Sequence, residues 1–348
     1  MADLTGPRRP SWRVDLLDRD YAPLGEIDGV TGGSIELVAL SRLGASGSLT
    51  ILDRGQDIDW MSHRVRLTYD PGIPGIEAWP VATMLFTSPT TRTRSGVRSF
   101  DAKLLSPLAV VDEDTTEATY SLPAGTPIIP TVVALIQSTG ETRIAATESE
   151  AVLRSPMVWE AGTPKLTIIN ELLESAGYWS LWCDGSGQHR VEPYVPPADR
   201  EPAYTFQAGA VSIHSPDWSR EQDHAAVPNR FIVIGEGSDE EPAIVGVATN
   251  ENPDSPYSFQ ARGRWITETE EGAEVADQVA ADLLAQRRLL DRMSPVAKLS
   301  VSHSVMPLDP NDVVTFQPRG HSTRATVQRM SFQLSYDSLC QAEWREAQ

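Results

Sequence analysis

Apolar and polar side chains alternate with a period of two through much of this chain. In Arg64-Val65-Arg66-Leu67-Thr68-Tyr69 every second residue is apolar, the pattern of a strand with one buried face. Leu299, Val301, His303 and Val305 repeat it, and so do Met330, Phe332, Leu334 and Tyr336. Residues 231–234 are apolar throughout and predict a central strand, covered on both faces. Turn formers punctuate the runs at Gly32-Gly33, Asp70-Pro71-Gly72, Asp184-Gly185-Ser186-Gly187 and Asp309-Pro310-Asn311. Short strands at this spacing predict antiparallel barrels or sandwiches.

Three segments change to the helical period. The first lies near residues 130–137, just after Gly125-Thr126-Pro127. In the second, Thr163 is the expected N-cap, with Pro164 at the first helical position. Leu166, Ile169, Leu172 and Leu173 form its apolar stripe, and Gly177 is placed to close it. A hairpin follows, residues 178–183 and 188–194 around the Asp-Gly-Ser-Gly turn. The third helix is expected over about 272–293, with Ala276, Val279, Leu283 and Leu290 on one face. Glu270, Glu271 and Glu274 would load its first turn and Arg287, Arg288 and Arg292 its last, as the helix dipole favours. Linkers are expected at 196–202, 112–117 and 235–242. The resulting order is β, then α/β, then β with a helical insertion.

A chain of 348 residues suggests two or three domains, and 40% hydrophobic with 22% charged residues supports a packed core. Acidic residues outnumber basic ones 48 to 29, for a net charge of −19. Such a chain repels phosphate, and Arg92, Arg94 and Arg98 are a small counterweight, so general nucleic-acid binding is disfavoured. Cys183 and Cys340 are far apart and belong to no Cys/His cluster, which predicts small buried side chains in a reducing compartment. No stretch reaches the ~20 apolar residues of a membrane span, so no membrane insertion is expected.

The chemistry-bearing patterns are missing. His63, His189, His214, His224, His303 and His321 form no HExxH or HxH pair, and His303 reads as a core histidine. There is neither a GxSxG elbow nor a phosphate loop ending in Gly-Lys. Asp53, Asp57 and Asp59 lack the glycine and terminal glutamate of a calcium loop. No catalytic set, metal or cofactor is expected. Nine tryptophans could form a carbohydrate platform, with Trp179 and Trp182 bracketing a strand, although core or lid use is the plainer reading of most of them.

Four stretches taken in order carry a family resemblance. They are Trp12–Arg19 with Leu24-Gly25-Glu26-Ile27 and Gly32-Gly33-Ser34; Asp57-Ile58-Asp59-Trp60-Met61-Ser62-His63-Arg64; residues 165–182 with Asp184-Gly185 and Val191-Glu192-Pro193-Tyr194; and Pro228-Asn229-Arg230 running into 231–235. With the late Asp312-Val313-Val314 strand, the chain resembles the tail-hub, or minor tail, proteins of long-tailed bacteriophages, of the actinobacterial siphophage type. The resemblance implies a mainly β fold with an α+β insertion: two related antiparallel β-barrel hub domains plus an α/β module. The first barrel would be residues 1–112 and the α/β module 113–202. A split second barrel would take 203–236 and 296–348, leaving 237–295 as an insertion whose long helix packs on the α/β module.

The implied role is structural rather than enzymatic. Three chains would form a homotrimeric pseudo-sixfold ring that adapts the sixfold tail to a threefold tip and lets DNA pass. Implied partners are the distal tail protein ring, the tape measure protein, a central fibre or spike, and other minor tail proteins. Its place would be the virion tail tip, after assembly in the host cytoplasm. Because the sequence stops at Gln348, a fibre, spike or peptidase is expected either on separate proteins or not at all. Three subunits at −19 each give −57, and carboxylates lining the bore would repel DNA in transit. Asp57, Asp59, Trp60 and Arg64 are the expected interface residues; the alternative is an internal turn in which Asp59 pairs with Arg64. The competing function is a carbohydrate-binding tail-tip module recognising the host cell wall. Peptidoglycan hydrolysis comes last, for want of a nucleophile, metal set or activated pair.

Overall fold

The computed structural model describes residues 4–235, 243–273, 278–293 and 297–347. The chain divides into two compact units, Met1–Ser219 with Ser300–Gln348, and Arg220–Leu299.

The first unit is built on one sheet of fourteen strands. Its first half holds Ser11–Leu17, Pro23–Glu26, Val30–Val38, Ala45–Leu52, Arg64–Asp70, Trp79–Phe86, Thr90–Arg94 and Val97–Leu105, all paired antiparallel. Its second half holds Tyr204–Gln207, His214–Glu221, Lys298–His303, Val313–Gln317, Thr323–Gln333 and Cys340–Glu346. The eleven-residue strand Thr323–Gln333 joins the halves. Its start pairs with Val313–Gln317, and Arg329–Gln333 pairs with Ser34–Val38 of the first half. A register shift at Val327/Arg329 marks the changeover, since a bulge bends and re-aims a strand. The two expected barrels therefore share one continuous sheet, and the pairing closes neither half on itself. The Gly32-Gly33 pair, expected as a turn, lies inside Val30–Val38. There a Cβ on Gly33 would sit 2.4 Å from Ser48 O, so the glycine permits close strand packing.

Period-two burial supplies the core. Ile35 and Leu37, Leu49 and Ile51, and Val65 and Leu67 face inward in the first half. In the second half Phe206, Phe316 and Trp344 pack with centroids 4.9–5.3 Å apart, and His303 joins them 4.9 Å from Phe206. His303 is buried, and desolvation lowers its pKa to about 4, so it is a neutral core residue as expected. Cys340 is likewise buried.

The α/β region carries the helices Leu108–Glu113, Ile128–Ser138 and Lys165–Ser175 over a core that includes Val132, Ile136, Ile169, Leu172 and Leu173. Thr163 does not cap its helix. Its hydroxyl turns back to donate to Glu160 O (2.8 Å), and Pro164 takes the N-cap position. Gly177 closes the helix as expected, at φ +73°, while Tyr178 N donates to Leu173 O (2.9 Å). The hairpin turn is organised by Asp184, whose Oδ1 accepts from Ser186 N and Gln188 N, both at 3.0 Å. The turn docks on the strand Trp79–Phe86. Thr83 Oγ1 donates to Gly185 O (2.9 Å), and a Cβ on Gly185 would lie 2.3 Å from Pro80 O.

The second unit has a three-stranded sheet in the order Val245–Thr249, Arg230–Gly235, Thr267–Ala273, the last pair parallel. The strand Arg230–Gly235 is central, as its apolar run predicts, but it belongs to this sheet rather than to the second hub barrel. Its side chains Phe231 and Val233 are buried under the helix Gln278–Arg292. That helix seats Ala281, Ala285 and Leu289 on the sheet. Gly246 lets it approach, since a Cβ there would meet Ala281 O at 2.2 Å. The face carrying Val279, Leu283 and Leu290 is the outer one, 59–67% exposed, while Ala276 lies outside the described residues. Glu270 and Glu271, expected in the first helical turn, sit in Thr267–Ala273, and Glu274 is outside the described residues. Glu270 still meets the helix, pairing with Arg288 at 2.8 Å.

Candidate functional site

The Asp57–Arg64 segment folds as a tight turn entering the strand Arg64–Asp70. Asp59 Oδ1 accepts from Met61 N (2.9 Å), Asp59 Oδ2 accepts from the Ser62 hydroxyl (2.5 Å), and His63 N donates to Asp59 O (3.0 Å). These donors, the Ser62 hydroxyl foremost, hold the Asp59 carboxyl below the usual carboxylate range. Trp60 turns onto the sheet with its ring 5.1 Å from Phe86 and 5.4 Å from Phe100. Asp57 and Asp59 are exposed, and Met61 at the tip is 96% exposed.

Arg64 leaves this group. Its side chain is buried, with Nη2 2.6 Å from Glu141 Oε1, Nη1 donating to Tyr21 OH (2.7 Å) and Nε donating to Arg19 O (3.0 Å). Tyr21 OH in turn donates to Glu141 Oε2 (2.7 Å), and the Arg64 guanidinium lies 4.2 Å from the Tyr21 ring centre. Burial, followed by the Glu141 charge, pushes the Tyr21 phenol far above its ordinary range. The backbone of Tyr21 sits at φ +67°, held by Asp18, whose Oδ1 accepts from Ala22 N at 2.8 Å. The Asp59–Arg64 pair of the alternative reading does not form. Arg64 instead ties the first half of the sheet to the α/β region. Glu141 and Tyr21 carry no sequence signal for this role, being 77 and 43 positions from Arg64.

A second feature of the first unit is a groove of about 680 Å³. Residues 37–45 form one wall, the hairpin around Trp179, Trp182 and Asp184 another, and the Asp309–Asp312 loop with Arg200 a third. Arg200 Nη1 donates to Asn311 O (2.7 Å), fixing Asn311 at φ +74°, and its guanidinium lies 5.6 Å from the Trp179 ring centre. Burial, then the neighbouring Asp312, raises the Asp309 pKa to about 7. An acid raised this way binds more protons folded than unfolded between about pH 3.8 and 7, so its stabilising effect is present at low pH and lost as pH rises through that window. Asp309→Asn is therefore expected to raise the urea midpoint at pH 8 and to leave it unchanged near pH 3.5, as followed by circular dichroism.

Among the described residues no group of three or more His, Cys, Asp or Glu side chains is placed to hold a metal ion. No described helix is long and apolar enough to cross a membrane.

No protein-family model matches the chain, and no curated protein does. Solved structures do. The tail protein from Neisseria meningitidis MC58 is 12% identical with a TM-score of 0.65, covering 97% of each chain. The 43 kDa tail protein of prophage MuSo2 from Shewanella oneidensis is 12% identical at TM-score 0.64, covering 95% of this chain and 98% of its own. The E. coli c3393 protein, a component of the type VI secretion system with structural similarity to T4 bacteriophage tail proteins gp27 and gp5, is 11% identical at TM-score 0.51. It covers 91% of this chain and 73% of its own. The fold is thus shared with tail proteins, a prophage tail protein among them, along nearly the whole chain.

Proposed function

We propose that the chain is a structural tail-tip hub of a long-tailed phage, working as a homotrimer with no catalytic step. The observation that carries this reading is the structural match to a tail protein over 97% of both chains at once, joined by a prophage tail protein over 95% of this chain and 98% of its own. The two halves of the sheet serve as the two related hub domains of each subunit, so that three chains present six similar elements. The first is residues 1–112, and the second is assembled from 203–219 and 300–348. Six similar elements on a threefold axis adapt a sixfold tail to a threefold tip.

The partners on this reading are the distal tail protein ring above, the tape measure protein within, and a separate fibre or spike and other minor tail proteins below. With −57 on three subunits, a carboxylate-lined bore passes phage DNA without adhesion. The subunit contact is assigned to the exposed turn bearing Asp57, Asp59 and Met61, with Trp60 as its packed base. Arg64, buried beneath it, holds the turn's exit strand.

Light scattering tests the assembly. The expected mass is three times 38.0 kDa, and Asp57→Arg is expected to lower it to a single subunit while leaving the circular dichroism spectrum unchanged. A wild-type mass that stays at one subunit at every concentration overturns the trimer.

A further inference from the structure

The second unit carries a surface pocket of about 690 Å³, lined by His224, Ala225, Pro256, Tyr257, Arg262 and Arg264. None of these residues is acidic, in a chain whose net charge is −19. Arg262 is fixed without a carboxylate. Its Nη1 donates to Val227 O (2.7 Å) and Ala225 O (3.3 Å), its Nη2 donates to His224 O, and its guanidinium lies 5.0 Å from the Tyr257 ring centre. Three of its five N–H groups are used in this way, which leaves Nε–H and one N–H on Nη2. The backbone of Arg264 is held by buried Asn229, whose Nδ2 donates to Arg264 O (2.9 Å) and whose Oδ1 accepts from Ile266 N (2.7 Å). The exposed Arg264 side chain has no hydrogen-bond or ion-pair partner among the described residues. His224 adds a further donor. Tyr257 OH lies 2.7 Å from His224 Nδ1, with the two rings stacked at 13°, and a phenol donating there leaves the imidazole proton on Nε2.

From this we propose that the pocket binds the phosphate group of a small phosphate monoester. Exposed arginines elsewhere on the chain meet acids, as Arg13 meets Asp15 and Arg54 meets Asp28. Here two guanidinium groups share one pocket with no counter-charge, and an anion between them relieves their repulsion. Charge selects the phosphate. A monoester carries about −1.5 to −2 near pH 7, against two fixed positive charges, whereas a carboxylate or a diester brings only one. Donor number agrees, because Arg262, Arg264 and His224 together match the three terminal oxygens of a monoester better than the two of a carboxylate. The volume lies within the range of about 300–1,000 Å³ that holds small ligands and exceeds the needs of one phosphate. Ala225, Pro256 and the Tyr257 ring form a neutral wall for the organic part. This site stands apart from the hub reading, because it needs no trimer and lies within one unit of one chain.

The test is calorimetric titration of the purified full-length chain with glycerol 3-phosphate, with inorganic phosphate and acetate as comparisons. Saturable binding of glycerol 3-phosphate is expected, with acetate at least about tenfold weaker and inorganic phosphate weaker by a smaller factor. Arg264→Gln is expected to weaken it about tenfold. His224→Gln, also at an exposed side chain, is expected to weaken it by less, and circular dichroism checks that both variants are folded. No saturation by about 10 mM glycerol 3-phosphate overturns the proposal. So does acetate bound as tightly as the ester, or binding that both variants leave unchanged. Inorganic phosphate bound as tightly as the ester overturns the monoester and makes the free ion the ligand. A monomeric protein that binds glycerol 3-phosphate overturns the hub while sustaining this site, and a trimer that does not bind it does the reverse.

Discussion

Glu141→Ala is expected to destabilise the first unit by about 3–5 kcal/mol, because it leaves the Arg64 guanidinium buried without its counter-charge. The cost comes from desolvation. Arg64 and Glu141 are both nearly inaccessible, at 8% and 1% side-chain exposure, so water cannot replace the lost carboxylate. Tyr21 OH would lose its acceptor in the same step. Removing both charges together, as Arg64→Met with Glu141→Met, is expected to recover most of the loss, since an apolar pair avoids the desolvation term. Urea denaturation of Glu141→Ala and of the double variant checks this. As a reference, Arg92→Ala breaks an exposed pair with Asp101 and should cost about 0–1 kcal/mol. If Glu141→Ala costs no more than Arg92→Ala, the buried cluster does not hold the sheet and the α/β region together.

Trp344→Ala is expected to cost about 3–5 kcal/mol through the cavity it leaves among Phe206, Phe316 and His303. Trp344→Phe should cost much less. It keeps a ring in the same space, and it removes an indole N–H that is buried with no hydrogen-bond partner among the described residues. Because Cys340–Glu346 pairs along the strand that spans both halves of the sheet, the alanine variant should broaden the unfolding transition of the whole first unit. Thermal melts followed by calorimetry distinguish the two substitutions.

What the sequence made legible was local. Alternation in Arg64–Tyr69 and around Leu299–His303 placed strands correctly, and Gly177 marked a helix end that the backbone confirms at positive φ. Pairings across long separations were not legible. Arg64 looked like an interface residue because it closes the polar segment Asp57–Arg64 beside an expected barrel end, yet its partner Glu141 lies in another part of the fold. The run at 231–234 signalled a central strand without saying in which sheet, and parallel pairing with Thr267–Ala273 places it in the second unit. The long helix misled for a different reason. Its apolar residues Val279, Leu283 and Leu290 point outward, while Ala281, Ala285 and Leu289 face the sheet, with Gly246 admitting the close approach at Ala281. The groove draws its walls from three distant segments, so only Trp179 and Trp182, as tryptophans bracketing a strand, hinted at it.

Electron-microscope class averages of the purified chain test the hub most directly. A threefold particle with six similar lobes around an open centre is expected, its inner surface lined by carboxylates. A particle with twofold symmetry, a closed centre or an arginine-lined channel contradicts it.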